Sequence, residues 1–429
     1  MNPQDVSTYG LTEHAMNLSI QRDLFTKNTN PWKRFLPRVE NLSGTDVPMA
    51  IWDIPYTIPQ LSYATHGHFR YYGKFPSSVA AMILEDYPAP NNDCCVVDNF
   101  CGSGTTLVEA KLRGIKSVGL DVSWLAAFAS NVKTTLINTN EIKDQLTLVK
   151  RNFTDFAQGE NEALSDKFVL KWFSADAAKD LSALQQALLL LPTGTARNFL
   201  VLAFLAIIRR VSKAFDGEVR PHINKSKKPR DVWSAYEKKV RDMVASHTEF
   251  QAFVEDDVFS RCYVHNNLKL REIDLPGNPY LVISHPPYLN SFDYRPVFSL
   301  EYFWGEPFRI STNTGSERGL EFDEIRAYPA SESISEQYYD HLRRTYSETY
   351  AIQQKGGLLA VVIGDCTVNK ELEPVLQRTA SICERIGYTL EKVNLRTTHY
   401  GLGKYAYNFR ADYHGDAEKR DGVLILRKA

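Results

Sequence analysis

The sequence predicts an α/β fold: an open, mostly parallel sheet with an antiparallel edge strand, plus a helical insertion. Three observations predict it. Short apolar runs alternate with helical patterns between residues 79 and 133, joined by short connections. Two later apolar runs, Tyr280-Leu281-Val282-Ile283 and Leu358-Leu359-Ala360-Val361-Val362-Ile363, resume that strand signal. Between them, from about 140 to 255, the pattern is almost wholly helical.

Taken in order, residues 1–60 carry Pro31, Pro37, Pro48, Pro55 and Pro59, which break any long helix, and read as an extended N-terminal arm. Residues 79–84 suggest a helix and Cys94-Cys95-Val96-Val97-Asp98 a buried strand. A helix over 105–113 is stopped by Gly114, a strand follows over 116–121, and then a helix over 124–133. Helices are predicted over 181–191, 198–213 and 232–246, the last with Trp233, Tyr236, Val240 and Met243 on one face. Gly422-Val423-Leu424-Ile425-Leu426 reads as the antiparallel edge strand. The resulting organisation is 1–60 arm, 61–139 cofactor-binding half, 140–254 helical insertion and 255–429 catalytic half, with no internal repeats.

Composition narrows the classes. The 429 residues suffice for one large domain with an insertion or for two domains, and 43% apolar with 12% aromatic content excludes global disorder. Charges balance to -1, so a polyanion would have to be met by a local basic surface. Six scattered cysteines without C-x-x-C spacing argue against a structural zinc site and suggest reduced thiols. The longest strongly apolar run, 199–208, falls well short of the roughly 20 residues of a bilayer span. The N-terminus shows no basic-then-apolar leader pattern. A soluble, cytoplasmic, metal-free protein is the expectation.

Two stretches carry chemistry. Asp98-Asn99-Phe100-Cys101-Gly102-Ser103-Gly104-Thr105-Thr106 follows a strand and opens a helix. Its glycines allow a tight turn and close ligand approach, and the helix start offers free N–H groups. It lacks both the third glycine of the dinucleotide fingerprint and the G-K-[ST] of a P-loop. With Asp121 at the next strand end to hold ribose hydroxyls, a nucleoside cofactor without pyrophosphate is expected. The second stretch, His285-Pro286-Pro287-Tyr288, also follows a strand. Its prolines remove donors and leave carbonyls free to accept, and Tyr288 offers a stacking face for a planar base. Upstream, residues 65–76 form a polar, aromatic segment that reads as a fixed loop.

Phe100-Cys101-Gly102-Ser103-Gly104-Thr105-Thr106 resembles the F-x-G-S-G-T-T motif of S-adenosylmethionine-dependent amino (exocyclic N) DNA methyltransferases. His285-Pro286-Pro287-Tyr288 stands where that family has (S/D/N)-P-P-(Y/F). Residues 288–294 are similar to a Y-x-N-S-x-D-Y continuation, and 66–76 to an H-x-Y-x-G-K-F-P-like segment. The resemblance covers roughly 61–135 and 255–429. It implies a Rossmann-like methyltransferase fold and a methyl donor packed by Lys74 and Pro76. It further implies a donor cradled by Asp98, Phe100, Gly102, Gly104 and Thr105, and held at the ribose by Asp121. Gly356-Gly357 and the strand to Gly364-Asp365 are similar to the later strand that backs the catalytic pocket.

Three positions depart from the family pattern. Asn99 replaces a common proline, and Asn266 or Asn267 stands where a Gly-Asp pair contacts adenine. His285 replaces serine, which implies cytosine N4, or aspartate or asparagine, which imply adenine N6. No Pro-Cys dipeptide of the cytosine-C5 type occurs.

The expected reaction is methyl transfer to an exocyclic amino group of a base flipped from double-stranded DNA, cytosine N4 ahead of adenine N6. His285, Pro286, Pro287 and Tyr288 form the base site, and Asp293 assists positioning or proton removal. Between Arg209 and Arg241 lie eleven Lys or Arg against four Asp or Glu. Arg220, Lys225, Lys227, Lys228 and Arg230 are the expected phosphate contacts. A cognate restriction endonuclease or defence system would be the partner. The alternatives are a catalytically impaired nucleic-acid-binding protein on the same fold, and an RNA methyltransferase.

Overall fold

The structure is a computed structural model that describes residues 33–38, 47–52, 60–74, 76–158, 166–255, 257–309, 323–396 and 421–429. Its strands are β1 (Lys33–Arg38), β2 (Met49–Trp52), β3 (Cys94–Asp98), β4 (Lys116–Asp121), β5 (Ser260–Val264), β6 (Asn278–Ser284), β7 (Leu358–Gly364), β8 (Cys366–Val368), β9 (Glu371–Glu373), β10 (Tyr388–Arg396) and β11 (Asp421–Lys428). All but β8 and β9 form one sheet in the order β1-β2-β10-β11-β7-β6-β3-β4-β5. From β7 to β5 every pairing is parallel, and β11 runs antiparallel to both β7 and β10. The antiparallel strand expected near the C-terminus is therefore present, set between β7 and β10 at that end of the sheet. The described part of the arm adds β2 and β1 beyond it. This is the open, mostly parallel sheet the alternation predicts, in the Rossmann-like arrangement the resemblance implies.

Helices cover both faces, which is why the central strands read as unbroken apolar runs rather than alternating ones. Leu358, Ala360 and Val362 of β7 join the core against α1 (Ser77–Asp86) and α2 (Thr105–Leu112). Leu359, Val361 and Ile363 join the opposite core, against the later helices Glu332–Ile352 and Val375–Ile386. The period of two sorts one strand into two cores. Each fully buried Val, Leu or Ile contributes about 1.5–3 kcal/mol.

Helix ends follow local rules. Gly114 adopts φ +68, and Ile115 N donates back to Ala110 O at 2.9 Å, closing α2 as expected. The helix α3 (Trp124–Thr134) starts where Ser123 Oγ accepts from Ala126 N. The helical stretch comprises α4 (Thr139–Phe156), α5 (Lys167–Trp172), α6 (Ala175–Leu189), α7 (Thr195–Val211) and α8 (Val232–Gln251). These share a third core with α3, which includes Tyr236, Val240 and Met243 from the predicted apolar face of α8.

A buried ionic network fixes the loop before α1. Glu109 on α2 is fully buried and accepts from Tyr63 Oη, from His66 Nε2 at 2.7 Å and from Arg113 Nη1 at 2.6 Å. Arg113 also reaches Glu85 at 2.8 Å. Burial alone would raise the Glu109 carboxyl, but the His66 hydrogen bond and the Arg113 charge outweigh it and hold it below its ordinary value. Because the folded value is depressed, this stability is present above the ordinary glutamate range and is lost as pH falls through the folded value.

Removing one partner leaves a buried charge uncompensated. We expect Arg113→Met to lower unfolding free energy by about 3 kcal/mol at pH 7. Urea titrations should show the deficit shrinking as pH falls below the Glu109 range, and a pH-independent deficit would refute the ionic account.

Candidate active site

The strand order reverses between β3 and β6: β4 and β5 step outward on one side, β6 and β7 on the other. Ligand crevices form outside the carboxyl ends of strands at such a switch point. Here a cleft of about 850 Å³, open to solvent, is lined by Phe100, Gly102 and Thr105 after β3, Asp121 after β4, and His285 and Pro287 after β6. The glycine turn and the Pro-Pro segment share one cavity.

The turn is tightly determined. Gly102 and Gly104 adopt φ +50 and +81, a region other residues rarely enter. A Cβ on Gly104 would lie 2.3 Å from Ser130 Oγ, and one on Gly102 would lie 3.2 Å from the Tyr71 ring. Asp98 lies buried beneath the turn and accepts from Phe100 N at 3.1 Å, while its Oδ2 and the Thr106 hydroxyl are buried without a well-formed hydrogen bond. Asp121 accepts from Gly102 N and from Ser123 N, each at 2.8 Å, so its carboxylate is locked at the lip of the turn. Burial pushes Asp98 up to about 7 and Asp121 up to about 6. From below, Lys133 Nζ donates to Ser103 O at 2.8 Å and Ser103 Oγ at 3.0 Å. Lys74 also lines the cleft, where its Nζ donates to His66 O at 3.0 Å and burial lowers it to about 8. Gly104 and Pro76 do not line the cleft, and Phe75 lies outside the described residues.

On the other wall, the segment after β6 is pinned by its neighbours. Pro287 O accepts from Tyr338 Oη at 2.9 Å, and Tyr288 Oη donates to Asp421 Oδ1 at 3.1 Å. The His285 and Tyr288 rings meet edge to face at 5.3 Å. Asn290, at φ +61, donates to Thr367 O and accepts from Ala330 N. His285 and Pro287 face the cleft, whereas Pro286 and Tyr288 do not line it.

Several expected positions are redistributed. Asn266 caps the turn after β5, accepting from Leu268 N and donating to Asp323, and its neighbour Asn267 lines the cleft. Asn267 donates to Asn99 O and accepts from His341 Nε2, each at 3.1 Å. Asp293 stands outside the lining, half-exposed and 3.6 Å from Arg220 Nη2. Besides Asp121, the carboxylates that line the cleft are Asp323 and Glu324, and Glu324 accepts from Tyr294 N at 2.7 Å and is pushed up by burial to about 7. Of the basic residues, Lys225 and Lys228 are exposed. Arg230 pairs with Asp216 at 3.1 Å. Lys227 is turned inward, donating to Arg209 O, Ala214 O and Asp216 Oδ1.

Sequence reasoning missed Tyr71, Gly73, Tyr294, Glu324 and His341 as cleft residues. The aromatic-rich segment 65–76 and the Phe292-Asp293-Tyr294 run were the available signals for the first three. Nothing local marks Glu324 or His341. Among the described residues no group of three or more His, Cys, Asp or Glu could hold a metal ion, and no helix is long and apolar enough to cross a membrane.

Because Asp98 binds its proton more tightly folded than unfolded, the folded state loses stability as pH rises from the ordinary carboxylate range through about 7. We expect Asp98→Asn to raise stability by about 1 kcal/mol or more at pH 8. The gain should vanish near pH 4, read by denaturant unfolding; a gain unchanged between the two would defeat the burial argument.

Residues 13–127 match the sequence model of a family described as DNA methylase. The chain is 27% identical over 142 residues to the type II methyltransferase M.MjaII of Methanocaldococcus jannaschii, covering 30% of this chain and 26% of that protein. It is 32% identical over 75 residues to the type II methyltransferase M.BsoBI of Geobacillus stearothermophilus, covering 18% and 14%. It also aligns with the crystal structure of TrmN from Thermus thermophilus at TM-score 0.29 and 9% identity, over 83% of this chain and 49% of that one. The matched segments thus span about a quarter or less of the length of these curated relatives.

Proposed function

We propose that this chain is a DNA methyltransferase that moves a methyl group from S-adenosylmethionine to an exocyclic amino group of a flipped base, cytosine N4 ahead of adenine N6. The observation that carries the reading is the single cleft lined by the glycine turn, Asp121, His285 and Pro287. The match of residues 13–127 to the DNA methylase family and the two type II methyltransferase relatives support it. The residues present suit such a donor. Gly102 leaves space that a Cβ would fill beneath Tyr71, and the locked Asp121 carboxylate presents acceptors for ribose hydroxyls.

S-adenosylmethionine, when bound, supplies a methyl carbon made electrophilic by the sulfonium. The chain's own part is positioning. Asp121 and the backbone from Phe100 to Thr105 would hold the nucleoside end, Lys74, two residues before Pro76, would border the methionine end, and Asn267, on the turn that Asn266 caps, would frame the adenine side. The Pro286 carbonyl and the His285 imidazole, in whichever tautomer leaves a ring nitrogen unprotonated, would accept hydrogen bonds from the amino group and aim its lone pair. Tyr288, outside the lining with its hydroxyl tied to Asp421, would back the base through the edge-on His285 ring. Glu324 lies in the cleft and is assigned the proton-handling part in preference to Asp293, which faces Arg220 outside it. Flipping costs a few kcal/mol, partly offset by stacking in the site. Lys225 and Lys228 meet phosphates, and a cognate restriction endonuclease remains the natural partner for such an activity.

Nucleoside mass spectrometry of DNA from expressing cells should reveal N4-methylcytosine, or N6-methyladenine, absent from cells expressing Asp121→Ala. By calorimetry Asp121→Ala should weaken S-adenosylmethionine binding by about 10- to 100-fold. Cofactor binding without any methylated base would favour the impaired binding protein, in line with the unusual His285, and methylation confined to RNA would favour an RNA substrate. Changing Lys225 and Lys228 together to alanine should reduce the salt slope of duplex binding by about 2; an unaltered slope would remove these two lysines from the interface.

A further inference from the structure

Between α7 and α8 the chain folds back on itself. Phe215 N donates to His222 O at 3.0 Å, Asn224 N donates to Lys213 O at 2.8 Å, and Ala214 bridges Ile223 in antiparallel fashion. This short hairpin is held from inside. Lys227 Nζ bonds Ala214 O and Asp216 Oδ1, each at 2.7 Å. The buried Arg209 donates to Glu218 O at 2.8 Å and Val219 O at 2.9 Å.

The hairpin is also tied to both walls of the cleft. On the cofactor side Arg70 Nη1 donates to Asp216 O, and Arg209 Nη1 donates to Tyr72 Oη at 2.7 Å. Tyr71, between them in the chain, lines the cleft. On the catalytic side Arg209 Nη2 donates to Val297 O at 2.6 Å. Arg220 pairs with Asp293 at 3.6 Å and lies over the Tyr328 ring at 5.0 Å.

On this braced element Phe215 is 39% exposed and stacks on no other aromatic ring among the described residues. Exposed apolar side chains are ordinary on protein surfaces, and Ile223 on the same hairpin is 40% exposed, but Phe215 alone of the two is aromatic. This one sits in a segment, 213–230, with six Lys or Arg against two Asp or Glu. Asp216 is answered by Lys227 and Arg230, and Glu218 lies 2.7 Å from His222, leaving Lys225 and Lys228 outward. An aromatic ring among cations suits a stacked polyanion better than a protein core: the cations meet phosphates while the ring enters a base step.

We propose that Phe215 is the wedge that enters the base stack where the target nucleotide leaves it, with the hairpin as its rigid mount. The inference rests on the DNA reading above and deepens it by naming the residue that holds the duplex open. Its benefit is greatest where a base is already missing, because no pairing has to be broken before the ring stacks.

The test uses the full-length chain and two labelled duplexes of identical mixed sequence, one intact and one with a single central abasic site, read by fluorescence anisotropy at low salt. The wild-type chain should prefer the abasic duplex. Phe215→Ala should lose that preference by about tenfold while binding the intact duplex much as before, and Phe215→Trp should retain it. Matched thermal melts of the three proteins exclude a folding defect. If Phe215→Ala keeps the wild-type ratio, the wedge is wrong although the DNA reading stands. If the wild-type chain binds neither duplex, the DNA reading itself fails and the wedge falls with it.

Discussion

The parallel pairing of β3 with β6 is the constraint on which everything else depends. Asp98 lies opposite Ile283 in that register, so the glycine turn after β3 and the Pro-Pro segment after β6 leave the sheet at the same end. Neighbouring strands sit about 4.8 Å apart, which brings two stretches distant in sequence to opposite lips of one crevice. Covering helices are carried outward by β4 and β5 on one side and by β7 on the other. The gap that this reversal opens is the cleft. No side chain needs to create it.

What the side chains do is fix polar groups in an otherwise apolar frame. Asp98, Asp121, Lys133 and Lys74 all sit where burial disfavours their charged forms. Each is held by backbone or hydroxyl partners instead of an opposite charge. Such an arrangement costs stability and gains fixed geometry, a pattern expected of a site and not of a plain core. The Glu109 network does the opposite job. There a buried carboxylate is fully answered by Tyr63, His66 and Arg113, and the answer anchors the loop that carries Tyr71, Gly73 and Lys74 to the cleft.

Arg209 joins the helical stretch to this frame. A single buried guanidinium reaches the aromatic loop through Tyr72, the basic hairpin through Glu218 and Val219, and the segment after the Pro-Pro motif through Val297. Arg geometry suits such a hub, since its planar fork serves several acceptors at once. The third core, shared by α3 and the inserted helices, supplies the mass behind it.

The sequence by itself determined the elements whose cause is local. The strands 94–98, 116–121, 280–283 and 358–363, the glycine turn and the Pro-Pro segment all follow from apolar runs, positive-φ glycines and proline chemistry, which act within a few residues. The helices Glu332–Ile352 and Val375–Ile386 went unread, as did β5 and β10, because their polar and aromatic composition hides a face that matters only once the sheet is there to cover. Tertiary structure alone decided which of Asn266 and Asn267 faces the cleft, that Glu324 lines it while Asp293 does not, and that Lys227 turns inward while Lys225 and Lys228 stay out. In each case the deciding partner is a carbonyl or charge brought from a remote part of the chain. Side-chain direction is set by what it can bond to, and local sequence does not contain that partner.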